Sequence, residues 1–147
     1  MKPVIPSLLA LALATGALQA QTSQPNPMYT PLRPVSSCLR TDRINEWHIV
    51  DTRTVIARTG PDRYMVKLQT ACPRLGYGPR SLMFHSNPAN QAVIPWSICG
   101  EVGETVRAPN QPPCAIQSVS KINKPQFDQL SQHALRHGSG ADQPIKP

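Results

Sequence analysis

The chain has 147 residues, 39% hydrophobic, 16% charged and 5% aromatic, with 17 Pro against 8 Gly. That is one domain's length, and the charged fraction is too low for a long coiled coil. Lys and Arg number 15 against 8 Asp and Glu, a net charge of +7, so anionic partners are favoured by composition.

Residues 1–20 have the order of a secretory signal peptide. Lys2 gives a positive start, Leu8 to Leu18 is apolar except for Thr15 and Gly16, and small residues lead to cleavage after Ala20 or, second, Ala17. The apolar run falls short of the roughly 20 residues that span a bilayer, so the mature chain is expected to be periplasmic or secreted and not membrane-spanning. Residues 21–35 carry Pro25, Pro27, Pro31 and Pro34, which block both helix and sheet, and read as a disordered leader.

Residues 36–130 form the expected folded domain. Glu46–Val50 is rich in strand formers, and Thr54–Arg58 is a second strand. Thr59-Gly-Pro-Asp62 is a turn, because Gly permits positive φ and Pro presets its own. Arg63–Gln69 then alternates, with Tyr64, Val66 and Leu68 facing one way and Arg63, Met65 and Lys67 the other. Leu82–His85 and Glu104–Arg107 are further short strands. In Cys114–Ile122 the apolar residues Ile116, Val119 and Ile122 fall every three, which fits a bulged strand or an irregular extended segment. Asn123 caps a short helix with Pro125 in its first turn and Phe127, Leu130 and Ala134 on one side. Residues 131–147, with Gly138, Gly140, Pro144 and Pro147, read as a flexible tail. The fold class is mainly β: a small disulfide-stapled antiparallel barrel or sandwich with a short C-terminal helix. Its expected core is Trp47, Ile49, Val55, Tyr64, Val66, Leu68, Leu82, Phe84, Val106 and Ile116.

The four cysteines are Cys38, Cys72, Cys99 and Cys114. Their wide spacing lacks the close pairs of a zinc site and any C-x-x-C redox motif, so two disulfides are expected in an exported chain. Of three possible pairings the reading favours Cys38–Cys114, tying the ends of the fold, with Cys72–Cys99 nested inside.

These residues together resemble a known family. Ser37-Cys38-Leu-Arg40, Ile44 to Trp47, Asp51 to Val55, Arg63-Tyr64, Leu68, Cys72-Pro73, Ile98-Cys99, Thr105-Val106, Cys114-Ala-Ile116, Val119 and Ile122 are similar to an uncharacterised family of small exported bacterial proteins, domain-of-unknown-function family 6491. The resemblance covers about residues 36–130. It implies a small secreted domain and supplies no activity, ligand or catalytic residue.

Chemistry-bearing patterns are sparse. His133 and His137 stand four apart, but no third ligand accompanies them, and no metal or other cofactor is expected. His48 or His85 with Asp51 is the arrangement a small hydrolase could use. No Gly-x-Ser-x-Gly or phosphate loop occurs, and the reading favours a non-enzymatic module. Glu101 and Glu104 read as a solvated turn. The charge pattern is more informative. Between Thr52 and Ser97 stand Arg53, Arg58, Arg63, Lys67, Arg74 and Arg80 against Asp62, so the stretch is +5. Arg53, Arg58, Arg63 and Lys67 on the hairpin are the candidate anion-binding surface. Anionic envelope lipid or polymer, or an acidic protein, is the expected partner. Nucleic acid is not, since it is less available to an exported chain and the aromatic interleaving of a single-strand binder is thin.

Overall fold

The structure, a computed structural model, describes residues 37–78, 82–92 and 94–140. The expected signal peptide and the whole of the expected leader lie outside the described residues, as does Arg80. The elements begin with β1 (Leu39–Arg40), a 3-10 turn (Thr41–Arg43), β2 (Glu46–Asp51), β3 (Thr54–Thr59) and β4 (Asp62–Leu68). β5 (Met83–His85), α1 (Pro88–Gln91), β6 (Ser97–Ile98) and β7 (Thr105–Arg107) follow. β8 (Cys114–Lys121), α2 (Lys124–Gln132) and β9 (Arg136–Ser139) close the chain. Seven strands form one antiparallel sheet in the order β5-β7-β8-β4-β3-β2-β9, a half-barrel, while β1 and β6 pair separately.

Turn chemistry sets the central register. Asp51 Oδ1 accepts the Arg53 N–H at 2.7 Å, closing the turn between β2 and β3. Thr59 lies opposite Asp62 across a two-residue loop whose first position, Gly60, has φ 61°. Glycine at that position is what a tight hairpin needs, because its backbone twist then matches that of the strands. β8 carries the bulge expected from its three-residue apolar spacing. Lys67 is opposite Ser118 and Leu68 opposite Ile116, so Gln117 is the extra residue. The bulge turns both Ile116 and Val119 inward and bends the sheet where β7 joins it.

All ten expected core residues are buried on the concave face. Leu39, Ile44, Leu75, Ile98 and Val119 join them. Ile56 is also fully buried, although it belongs to the opposite face, because α2 lies across β2 and β3 on that side. Phe127 is the buried residue of α2, and Leu130 is only partly covered.

The disulfides correct the expected pairing. Cys38 joins Cys99 and Cys72 joins Cys114, so the loops interleave and do not nest. The cause is the unforeseen β1–β6 ladder. Leu39 faces Ile98 and Arg40 faces Ser97, so continuing the register by one puts Cys38 opposite Cys99, with Cα atoms 4.3 Å apart. Cys72 follows β4 and Cys114 opens β8, its neighbour in the sheet. With sequence separations of 61 and 42, each bridge taken alone stabilises by about 4 kcal/mol in the chain-entropy model.

The tail boundary also moves. Residues 136–139 are the edge strand β9, paired with β2, while 141–147 lie outside the described residues. Glycine makes this possible. A Cβ on Gly138 would sit 2.1 Å from the Trp47 ring, so the indole lies flat over the space where a side chain would be. Gly76, at φ 79°, also approaches the same ring and Ile49 closely. Arg136 locks the arrangement, donating to the Leu75 carbonyl at 3.0 Å and stacking its guanidinium 3.6 Å from the centre of the Tyr77 ring.

Two outcomes follow. Non-reducing peptide mapping will link Cys38 to Cys99 and Cys72 to Cys114; a Cys38–Cys114 peptide contradicts the fold. Gly138→Ala will destabilise the domain by about 1–3 kcal/mol through overpacking against Trp47. At roughly 4–8 °C per kcal/mol, that lowers the melting temperature measurably. An unchanged melting temperature means that β9 does not pack as described.

Candidate functional site

The sheet has two unlike faces. On the face opposite the core, Glu46 and His48 of β2 stand beside Arg58 and Ile56 of β3, with Arg63, Met65 and Lys67 of β4 beyond. β9 adds Ser139 opposite Glu46 and His137 opposite His48. α2 crosses this face. The Asn123 side chain accepts the Gln126 N–H at 2.9 Å, and Pro125 sits in the first turn, where a missing N–H costs nothing. The helix thereby seats Phe127 on the sheet, 5.4 Å edge-on from His48 and 5.9 Å from the Arg63 guanidinium.

His48 and His137 form the most distinctive polar contact of the face. Their Nδ1 atoms are 2.6 Å apart and their rings meet edge-on at 4.9 Å. One nitrogen carries the proton and the other accepts it. Burial, and secondarily His137, hold the His48 pKa below the usual histidine value, against a smaller opposing pull from Glu46. His137 is exposed and His48 half-buried. The pairing of His133 with His137 on one helix does not occur. α2 ends at Gln132, His133 is its C-cap, and His137 lies in β9.

The four hairpin cations share the neighbourhood, and Phe127 of α2 stands against one of them, Arg63. Arg58 is ion-paired with Glu46 at 2.8 Å. The others have neutral partners. Arg53 donates to the carbonyls of Leu68 and Gln69, Arg63 to that of Pro61, and Lys67 to Thr54 Oγ1 at 2.8 Å. A second basic region borders a depression of 460 Å³ lined by Arg40, Arg43, Lys121 and Tyr64. There Arg40 pairs with Asp42 and Lys121 with Asp62, so little net charge remains.

The hydrolase arrangement is not assembled. The Asp51 carboxylate is engaged by the Arg53 N–H, while His48 faces His137. His85 in β5 lies opposite Thr105, its Nε2 buried without a partner, and burial followed by the Arg107 charge lowers its pKa.

Glu104, expected in a solvated turn, is instead fully buried. Its Oε2 accepts the N–H groups of Cys99, Gly100 and Glu101 at 3.0, 2.6 and 3.0 Å, and its Oε1 also accepts from Cys99. The carboxylate thus replaces the missing backbone partners of the 99–104 loop beside the Cys38–Cys99 bridge. Gly100 is required there, since a Cβ would lie 2.7 Å from the Val119 nitrogen. The sequence signal was present as Glu104 one residue after Gly103 and before a strand, but nothing in it placed the side chain inward.

Fold and site define a small disulfide-stapled antiparallel half-barrel with a helix on its polar face. The chain belongs to a family of unknown function, DUF6491, which matches residues 2–138. The match reaches well beyond the 36–130 read from motifs and takes in all but the last residue of β9. No curated protein and no solved structure matches the chain. The two disulfides point to an oxidising, extracellular compartment. Among the described residues no helix is long and apolar enough to cross a membrane.

Burial raises the Glu104 pKa above the usual carboxylate value, against the opposing pull of its N–H donors. A raised folded pKa means that ionising the group weakens the fold. Its contribution is full below the unfolded pKa and declines as pH rises through the folded one. Glu104→Ala leaves three N–H groups without their acceptor and will cost about 3 kcal/mol or more, at roughly 1–3 kcal/mol for each unsatisfied group. Glu104→Gln keeps one acceptor oxygen and will cost less. Denaturant melts across pH will show the gap between wild type and Glu104→Gln narrowing as pH rises; a gap that widens reverses the assigned sign.

Proposed function

We propose that this protein is an exported, non-enzymatic binding module of the cell envelope that docks onto an anionic lipid or polymer surface through Arg53, Arg63 and Lys67. The observation that carries this is how those cations are held. Each bonds a carbonyl or a hydroxyl, which orders the side chain without cancelling its charge. Binding then loses less side-chain entropy than it would with free lysines and arginines. Arg58 contributes order only, because Glu46 neutralises it. Export rests on the order Lys2, apolar run, Ala20, and agrees with the oxidised cysteines.

The reading requires a salt-sensitive, weakly specific attraction. Exposed charges act over about 10 Å at 0.1 M salt and about 3 Å at 1 M. Co-sedimentation with vesicles of phosphatidylglycerol will be strong at low salt and lost at high salt, and vesicles of phosphatidylcholine will not bind. The Arg53→Glu, Lys67→Glu double variant, with its circular dichroism unchanged, will lose most of the low-salt association. Undiminished association in that variant overturns the proposal.

A further inference from the structure

His48 and His137 belong to different strands and are separated by 89 positions, yet stand directly opposite each other in the ladder. Two imidazoles on adjacent antiparallel strands form a chelate whose backbone is already fixed, so metal binding orders little beyond two ring torsions. We infer that His48 and His137 form a binding site for a divalent transition metal, Cu²⁺ in preference to Zn²⁺, through their Nδ1 atoms.

Donor chemistry and coordination geometry decide the metal. Two nitrogens bound cis at about 2.0 Å in a square-planar sphere stand about 2.9 Å apart, and two in a tetrahedral sphere about 3.3 Å. The observed 2.6 Å is a hydrogen-bond separation, shorter than either, so the rings part on binding and least for the square-planar sphere. Cu²⁺ takes the square-planar geometry and heads the affinity order for nitrogen ligands, while Zn²⁺ favours the tetrahedron. Binding shifts the proton between the two nitrogens to the Nε2 of the ring that carried it, with no net proton loss, and turns each ring so that both lone pairs meet beside the line joining them. His137 has the freedom to turn, being exposed on an edge strand with β2 on one side only. His48 is backed by the edge-on ring of Phe127, which restricts its alternatives. Among the described residues no third His, Cys, Asp or Glu joins the pair into a larger cluster. Glu46, on the same strand face, is occupied by Arg58. Water therefore fills the remaining equatorial positions, and the site is an open one.

The experiment uses the purified mature protein. Cu²⁺ is titrated by calorimetry, and the 1:1 sample is examined by electron spin echo envelope modulation, which counts coordinated imidazoles. The inference expects one Cu²⁺ per chain, two equatorial imidazoles and weaker Zn²⁺ binding. His48→Gln and His137→Gln will each lower Cu²⁺ affinity on the order of 100-fold, since even losing an outer-shell partner costs about 10–100-fold. His85→Gln and His133→Gln will leave affinity unchanged. Because a His137 variant can also loosen β9, the imidazole count on the unaltered protein stands as an independent reading. A single imidazole or none in that count, or undiminished affinity in the His48 variant, overturns the site.

Discussion

The contact of the Trp47 ring with Gly138 is the constraint on which the outer half of the sheet depends. Trp47 is the largest apolar side chain of β2 and must be covered. A strand with any side chain opposite it would be held away; glycine lets the backbone close over the ring. Aromatic cover of a cross-strand glycine is a recognised device for fixing strand register. Once Gly138 is opposite Trp47, the alternation of strand faces leaves no freedom for its neighbour. His137 must project to the other face, beside His48. The same apolar contact that completes the core thus assembles the polar pair outside it.

The other half of the fold is held by covalent and buried polar links, because its strands are too short to hold themselves. β5, β6 and β7 have three, two and three residues. The Cys38–Cys99 bridge extends the β1–β6 ladder, and Glu104 satisfies the loop that leaves it. The Cys72–Cys114 bridge fixes the chain after β4 to the start of β8, on the neighbouring strand. A domain of this size buries a limited core, so such staples carry a large share of its stability. Rigidity also serves the proposed role: Arg53 and Lys67 hold their geometry because the β2–β3 turn and the end of β4 are tied to each other.

Much of this was legible in the sequence where a local rule had one physical solution. The Gly60-Pro61 turn, the alternation of Arg63–Leu68, the bulge implied by Ile116 and Val119, and the Asn123 cap each appear as read. The ten core positions were legible for the same reason. What was not legible depends on contacts between distant segments. Cys38 meets Cys99 through two two-residue strands that have no periodicity to detect. β9 reads as a tail because Arg136-His-Gly-Ser139 lacks apolar alternation; its glycine matters only opposite Trp47. Ile56 and the partial cover of Arg63 follow from where α2 lands, which pattern alone does not specify.

The register of β9 on β2 is the central claim, and nuclear Overhauser spectroscopy of the labelled protein tests it most directly. The account predicts cross-peaks from the Trp47 indole to the Gly138 α-protons, and slowed amide exchange within 136–139. Absence of those cross-peaks, together with exchange in 136–139 at the rate of an unstructured chain, would contradict it.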